Sequence, residues 1–185
     1  MSISVCGIAG SLRKGSYNRA LLGACLELAP EGMTIQVFDR LRDIPPYDGD
    51  QDTPTAPEPV AALRSAIAGA DALLLVTPEY NFGIPGVLKN AIDWASRPPG
   101  KSCLNTKPAA ILGASPGLMG TVRAQMALRQ SLMFTETYVL MKPEVLVTRA
   151  SEKFDASGRL HDEQTRGFVR QLLDALVLWT ERIKR

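Results

Sequence analysis

The sequence has few of the residues on which several classes of protein depend. Its 185 residues include one histidine and three cysteines, Cys6, Cys25 and Cys103. A single histidine excludes His-rich zinc sites, leaves any Ser-His-Asp triad dependent on His161, and leads us to expect no metal site. An odd number of cysteines without a CxxC pair argues against a disulfide framework, so we expect a reducing compartment, the cytoplasm.

Long apolar runs and an excess of charge of one sign are also missing. No run approaches the roughly 20 apolar residues that span a membrane, and residues 1–9 lack the basic start of a signal peptide, so we expect neither feature. The 21 basic and 19 acidic residues are interspersed and give a net charge of +2, which argues against nucleic-acid binding. With 45% hydrophobic residues, the chain has enough apolar material for one domain, 1–185, with its own core.

Short apolar runs alternate with helical patterns along the chain. This alternation predicts a three-layer α/β fold, in which a mostly parallel sheet of five strands is covered by helices on both faces. The expected strands are residues 3–9, 34–38, 72–76, 109–113 and 137–140, the last continued by 145–147. The expected helices are one that ends at Pro30 and residues 60–68, 86–95, 123–134 and 162–183. The proline-rich segment 40–59 has no periodicity and is predicted to be a loop.

Two sets of apolar residues lie on the expected helices. In the last helix, the stripe formed by Phe168, Leu172, Leu176 and Trp179 is predicted to pack into the core. The second set suits either core packing or a contact between subunits, and it comprises Trp94, Leu128, Leu132, Met133 and Phe134.

Three loops rich in glycine and polar residues follow expected strands. Loop 1 (10–16), loop 2 (78–85) and loop 3 (115–121) follow the first, third and fourth strands. Because the carboxyl ends of parallel strands meet at one edge of a sheet, we expect these loops to form one ligand site. In loop 3, Ser115 offers a hydroxyl and Gly117 allows close approach of the backbone, although a flexible turn would have the same composition.

Loop 1 ends a strand and opens a helix, so its N–H groups and the helix dipole favour an anion. Ser11 and Ser16 offer hydroxyl groups, Arg13 offers a guanidinium, and Asn18 lies where it can cap or fasten the loop. Gly10 and Gly15 have the spacing of the glycines in a nucleotide P-loop, but Ser16 stands where that motif needs lysine. A single phosphate is therefore the expected ligand. An ordinary helix N-cap remains the alternative.

The glycine pattern of dinucleotide-binding folds is not present in loop 1. Gly7, Ala9 and Leu12 match the G-x-G-x-x-G pattern poorly. Asp39, at the end of the second expected strand, is therefore only a weak indication of a ribose partner.

Loop 2 combines aromatic, amide and proline residues in a short segment. Pro78 restricts the backbone, Tyr80 and Phe82 offer flat faces, and Glu79 and Asn81 offer hydrogen bonds. Such a loop suits a planar ring with polar edges. A rigid turn with both aromatic side chains packed inward is the alternative.

Three segments together resemble the NADPH-dependent FMN reductase family, most closely its soluble chromate and quinone reductases and FMN-dependent azoreductases. They read GSLRKGSYNR at 10–19, PEYNFGIPGVLKNAIDWASR at 78–97 and GASPGLMG at 113–120. The resemblance implies a flavodoxin-like fold with strand order 2-1-3-4-5. It also implies FMN as the cofactor, NADPH or NADH as co-substrate, and a homodimer or homotetramer.

The resemblance implies roles for individual residues as well. FMN carries the redox chemistry, so no catalytic side chain is expected. The phosphate would be held by Ser11, Arg13, Ser16 and Asn18, the ring and ribityl chain would be lined by Pro78, Glu79, Tyr80 and Asn81, and the pocket would be completed by Ser115 and Gly117.

The expected function is transfer of a hydride from NADPH or NADH through FMN to a small-molecule acceptor. The resemblance suggests a quinone, free flavin, azo dye or chromate, reduced by a ping-pong mechanism. Two alternatives remain: a flavodoxin-type electron carrier, which is usually far more acidic than this chain, and an FMN-binding redox module with Cys103 as its switch.

Overall fold

Six strands pair in parallel to form one sheet in the computed structural model, which describes residues 2–184. The strands are β1 (Ile3–Ala9), β2 (Met33–Val37), β3 (Ala72–Val76), β4 (Pro108–Ala114), β5 (Tyr138–Val139) and β6 (Val145–Val147). Their order is β2-β1-β3-β4-β5, and β6 also pairs with β4. Since β5 lies beside the start of β4 and β6 beside its end, the two form one interrupted edge strand. The predicted order 2-1-3-4-5 is confirmed.

Five helices cover the two faces of this sheet. They are α1 (Tyr17–Glu27), α2 (Glu58–Gly69), α3 (Gly86–Ala95), α4 (Val122–Met133) and α5 (Glu163–Ile183). One apolar core lies under α1 and α5 and includes Leu21 and Leu172. A second core lies on the other face, under α2, α3 and α4. The residues of β3 and β4 are buried throughout, as a parallel sheet with two covered faces requires.

The last helix differs from its predicted packing. Phe168 is 46% exposed, while Val169 and Leu173 are fully buried beside Leu172 and Leu176. The periodicity located the apolar side of α5. Which residues on that side become buried depends on where β4 and α1 pack against the helix. The prediction that Phe168 packs in the core is therefore wrong.

The second set of apolar residues divides between core and surface. Trp94, Leu128 and Leu132 are completely buried, whereas Met133 and Phe134 are 76% and 67% exposed. The buried members belong to the core beneath α3 and α4, and the exposed ones lie at the end of α4.

The proline-rich segment is irregular but held in place. It contains two short 3-10 helices, Leu41–Asp43 and Gly49–Gln51, and α2 begins at Glu58, slightly earlier than predicted. The Asn90 side chain accepts from the N–H of Tyr47 at 2.7 Å and donates to the carbonyl of Pro45 at 2.8 Å. The segment therefore lies against α3. Between residues 2 and 184, no helix is long and apolar enough to cross a membrane.

Candidate functional site

The three loops leave neighbouring strands and lie side by side at one edge of the sheet. At or just before the start of each loop, a main-chain bond of 2.9 Å joins the chain to the next strand: Gly10 N–H to Val76, Thr77 N–H to Leu112, and Ser115 N–H to Val147. The structure thus brings together the predicted residues of loops 1, 2 and 3. Within residues 2–184, no group of three or more His, Cys, Asp or Glu side chains could hold a metal ion.

Loop 1 presents unused hydrogen-bond donors at the start of α1. The Ser16 hydroxyl oxygen accepts from the N–H groups of Asn18 at 3.2 Å and Arg19 at 3.4 Å, so its own proton is available to a ligand. The N–H groups of Lys14 and Gly15 donate to no acceptor among the described residues. Together with the positive end of the helix dipole, these donors fit one phosphate group.

Ser11 and Arg13 precede these donors in loop 1. The Arg13 side chain is exposed and donates to the Gly15 carbonyl at 3.3 Å, which holds its guanidinium beside loop 1. Ser11 is buried, and its hydroxyl lies 3.2 Å from the hydroxyl of Tyr80. Ser11 therefore connects loop 1 to loop 2.

Asn18 connects loop 1 to the end of β4. Its buried amide donates to the Ala114 carbonyl at 2.9 Å and accepts from the Ala114 N–H at 2.8 Å. These contacts show a fastening role, which the sequence left open beside phosphate binding. Asn18 as a phosphate ligand stays a prediction.

Loop 2 is a tight turn that projects its tip into solvent. Tyr80 and Gly83 exchange two main-chain bonds, of 3.0 and 2.9 Å, across Asn81 and Phe82. Both central residues have positive φ, +49° and +64°, which asparagine tolerates and phenylalanine rarely adopts. As a result Tyr80 is 46% and Phe82 71% exposed, so the alternative of inward-packed aromatic side chains is wrong. Pro78, by contrast, is buried at the base.

Glu79 directs its carboxylate away from solvent, toward the first turn of α4. The carboxylate accepts from the N–H groups of Arg123 at 3.0 Å and Ala124 at 3.2 Å, and from the Arg123 guanidinium at 3.1 Å. That guanidinium also lies 4.2 Å from the centre of the Phe82 ring. Arg123 is thus part of the site, although the predicted set of residues omits it. A basic residue at the start of a helix after loop 3 is the only signal the sequence offers for this role.

Loop 3 is held by the chain that follows β6. Ser115 accepts from the Gly117 N–H at its hydroxyl, 3.1 Å away, and from the Ala150 N–H at its carbonyl, 3.0 Å away. Gly117 in turn accepts from the Arg149 N–H at 3.1 Å. Loop 3 is therefore an ordered wall of the site.

The three cysteine thiols have raised pKa values and take no part in this site. Burial raises the pKa of Cys6 and of Cys103 to about 11 and that of Cys25 to about 12. The Cys103 thiol also donates to the Ala95 carbonyl at 3.4 Å. All three are therefore protonated and unreactive near neutral pH.

The geometry fits FMN. Loop 1 offers main-chain donors, a hydroxyl and a guanidinium to a phosphate, and an open cavity of about 470 Å³ is lined by Glu79, Asn81 and Phe82 of loop 2. A doubly wound sheet with an anion site after β1 and an exposed aromatic turn after β3 defines the flavodoxin-like class of mononucleotide-binding proteins.

Comparison with known proteins narrows this class. The family described as NADPH-dependent FMN reductase matches residues 3–152. A NAD(P)H-dependent FMN reductase of Pseudomonas aeruginosa is 51% identical over 98% of this chain and 97% of its own, and a quinone reductase of Pseudomonas putida is 41% identical over 96% and 95%. The solved structure of FerB, a flavoenzyme NAD(P)H:(acceptor) oxidoreductase from Paracoccus denitrificans, is 38% identical, with a TM-score of 0.88 over 97% of this chain and 98% of that one. The chain belongs to the NADPH-dependent FMN reductase family, and it is an oxidoreductase with FMN as its cofactor and NAD(P)H as its reductant.

Proposed function

We propose that this enzyme reduces a small-molecule acceptor, foremost a quinone, with electrons from NADPH or NADH by a ping-pong mechanism. Free flavin, azo dyes and chromate are further acceptors in its range. The observation that carries the proposal is the arrangement of loops 1 and 2. Hydrogen-bond donors that are free to bind a phosphate lie next to an exposed aromatic turn at one edge of the sheet. Bound FMN supplies the redox chemistry, by accepting a hydride and passing electrons on.

The residues of loop 1 provide binding and orientation. Arg13, Ser16 and the N–H groups of Lys14 and Gly15 hold the phosphate. A charge-assisted bond from the guanidinium contributes about 1.5–3 kcal/mol to such a contact. Ser11 and Asn18 keep loop 1 in register with loops 2 and 3, so an anchored phosphate places the ring against loop 2.

The residues of loops 2 and 3 shape the reacting face. Pro78 supports the turn from beneath, and Tyr80 and Asn81 line the ring. The N–H groups of Glu79 and Asn81 donate to no acceptor among the described residues, so they are available to polar ring atoms where negative charge develops. Ser115 and Gly117 close the opposite side. One open face then receives the reductant and the acceptor in turn.

A second copy of the chain completes the assembly that we propose. Five large apolar side chains, each more than half exposed, form the α4 face: Leu118, Met119, Met126, Met133 and Phe134. Several large apolar side chains exposed on α4 and the loop before it are typical of a protein contact. Because Arg123 of α4 contacts loop 2, a homodimer built on this face places each flavin site at the subunit boundary. Three unpaired thiols, two of them buried and that of Cys103 half-buried, suit the cytoplasm.

The decisive experiment is the absorbance spectrum of the FMN-loaded protein before and after NADPH is added without oxygen. Bleaching of the flavin bands, followed by their return when a quinone is added, is the expected result. A bound flavin that NADPH leaves oxidised would instead indicate an electron carrier or a redox module. Absence of flavin binding would contradict the assignment of the three loops.

Initial rates test the proposed order of steps. When NADPH is varied at several fixed quinone concentrations, reciprocal plots should be parallel lines, because the two substrates use the same face in succession. Intersecting lines would show that both bind together and would reject the ping-pong order.

A further inference from the structure

A second cavity lies outside the flavin site, between α1 and the carboxyl end of β2. Its volume is about 190 Å³, and its floor is apolar, formed by Leu22 and Leu26 of α1 together with Val37 and Leu41. Because the strand order is β2-β1-β3, this cavity and loop 2 lie on opposite sides of loop 1. No residue of the cavity except Ser11 has a role in the proposed flavin site.

A glycine in the middle of α1 keeps this cavity open. Gly23 lines it, and a Cβ atom added there would meet no atom within 4 Å. Glycine inside a helix costs roughly 0.5–1 kcal/mol relative to alanine. The helix therefore carries a destabilising residue at the point where a side chain would fill the cavity.

Charged side chains with unused hydrogen-bonding capacity surround the apolar floor. Arg19 and Asp39 both line the cavity, and across residues 2–184 neither side chain has a hydrogen-bond or ion-pair partner. The guanidinium of Arg42 donates to the carbonyl of Leu12, a lining residue, at 3.3 Å. The rim thus combines two guanidinium groups with one carboxylate.

This combination matches one end of a pyridine nucleotide. The apolar floor suits a planar base, the carboxylate can accept from a ribose hydroxyl, and the guanidinium groups suit a phosphate. In dinucleotide-binding sheets, an acidic residue about 20 residues after the glycine loop accepts from the ribose 2′-hydroxyl of NAD, whereas in NADP sites an arginine nearby accommodates the 2′-phosphate. Asp39 lies two residues beyond the end of β2, near the corresponding place in this sheet, and the hydroxyl that NADPH leaves free for it is the ribose 3′-hydroxyl.

The cavity is also close enough to the flavin site for one molecule to occupy both. Ser11 lines the cavity, and its hydroxyl lies 3.2 Å from that of Tyr80 in loop 2. Only the width of loop 1 separates the two sites. An extended nucleotide can therefore place one end at loop 2 and the other in the cavity.

We propose that this cavity binds the adenosine 2′-phosphate end of NADPH, and that Arg19 and Arg42 make the enzyme prefer NADPH to NADH. The inference rests on the proposed function, since it assigns the reductant of that site. Gly23 provides the space, Asp39 accepts from the 3′-hydroxyl of the ribose, and the two arginines bind the 2′-phosphate.

Binding of nucleotide fragments to the FMN-loaded protein tests the assignment without measuring turnover. Adenosine 2′,5′-bisphosphate and adenosine 5′-monophosphate are titrated in a calorimeter at fixed ionic strength. We expect the bisphosphate to bind at least about tenfold more tightly, the effect of one charge-assisted contact. Arg42→Ala and Arg19→Ala should each reduce this preference, while binding of the monophosphate changes little.

Variants at glycine separate cavity filling from general damage. Gly23→Leu should weaken both fragments more than about tenfold, because its side chain occupies the base site. Gly167→Leu is the matched control, since Gly167 is also a helix-interior glycine that faces open space. Gly23→Ala should stabilise α1, as its urea midpoint will show, and retain more affinity than Gly23→Leu.

The outcomes distinguish this inference from the proposed function. If each fragment binds Gly23→Leu as tightly as the wild type while NADPH still bleaches the flavin, the cavity assignment is overturned and the reductase activity stands. A bisphosphate that binds no more tightly than the monophosphate would overturn the role of the arginines. A flavin that NADPH does not reduce, with fragment binding lost in Gly23→Leu, would reject the proposed function but support an adenosine site.

Discussion

At the scale of single residues, the type of side chain indicated its chemistry, but its neighbours decided its role. Arg13 and Arg123 are both exposed arginines near the site. Arg13 contacts only loop 1, beside the hydrogen-bond donors that we propose for the phosphate. Arg123 instead pairs with Glu79 and stacks on Phe82. We therefore propose the first as a ligand for an anion, whereas the second supports the shape of loop 2.

Replacing Arg13 tests the phosphate assignment. Arg13→Ala should weaken FMN binding by about 10- to 100-fold, since a charge-assisted bond contributes roughly 1.5–3 kcal/mol. Quenching of FMN fluorescence by the apoprotein measures the dissociation constant. Arg182→Ala, which removes an exposed arginine from the last turn of α5, is the control and should leave affinity unchanged. Unchanged affinity in Arg13→Ala would show that the phosphate lies elsewhere.

The thiol of Cys103 offers a test at the same scale. Its pKa is raised to about 11 by burial, so at pH 8 only on the order of 0.1% is thiolate, the form that reacts. Alkylation by iodoacetamide should therefore be slow at pH 8 and accelerate about tenfold for each pH unit up to pH 10.

A Cys103→Ser variant assigns the measured rate to this residue, and the urea-unfolded protein gives the rate of a free thiol. A rate that reaches its plateau below pH 9 would mean an activated thiol. That result would favour the redox-module alternative.

At the scale of elements, the site depends on side chains that join one element to another. Asn18 ties the first turn of α1 to β4, and Glu79 ties loop 2 to the first turn of α4. Gly113 allows β4 to pack closely against the start of α4, because a Cβ atom at Gly113 would lie 2.1 Å from the Thr121 hydroxyl oxygen. These contacts join segments that are far apart in the chain into one rigid edge.

Removing the Asn18 amide should destabilise the fold as well as the site. Asn18→Ala leaves the N–H and carbonyl of Ala114 unpaired in a buried position, which costs about 2–4 kcal/mol of unfolding free energy. Urea denaturation of the apoprotein measures this loss. Gln171→Ala, on the exposed side of α5, should change stability by less than about 0.5 kcal/mol. A loss in Asn18→Ala no larger than in this control would show that the bridge to β4 contributes little.

At the scale of the whole molecule, the strand order decides which loops meet. With β1, β3 and β4 adjacent, loops 1, 2 and 3 share one edge, while β2 carries the second cavity to the outer side of loop 1. The same arrangement leaves the α4 face uncovered beside loop 2. The proposed cofactor site, nucleotide cavity and subunit contact therefore adjoin one another.

A charge placed on the α4 face tests the proposed homodimer. Met126→Lys should shift the protein toward a monomer in sedimentation velocity experiments, because a buried, unpaired ammonium group opposes association. Leu178→Lys is the matched control, since Leu178 and Met126 are both 67% exposed but Leu178 lies on α5. Dissociation by Leu178→Lys alone would place the contact on the other face of the molecule.

Most of the architecture could be predicted from local patterns. β1, β3 and α3 have the predicted bounds, and the other long elements begin and end within a few residues of theirs. Apolar runs of strand length, and glycine and proline at the ends, are signals carried by neighbouring residues, so no knowledge of the tertiary structure was needed. The residues of loops 1 and 2 were prominent for the same reason.

The sequence by itself determined the elements, the order in which strands and helices alternate, and the loops that we propose for the phosphate and the ring, because each depends on residues close together in the chain. Only the tertiary structure decided that Glu79 caps α4, that Phe168 stays exposed on α5, and that Gly23 and Asp39 border one cavity. These features arise from contacts between distant segments. Whether a side chain is buried, paired or free depends on what the fold places against it.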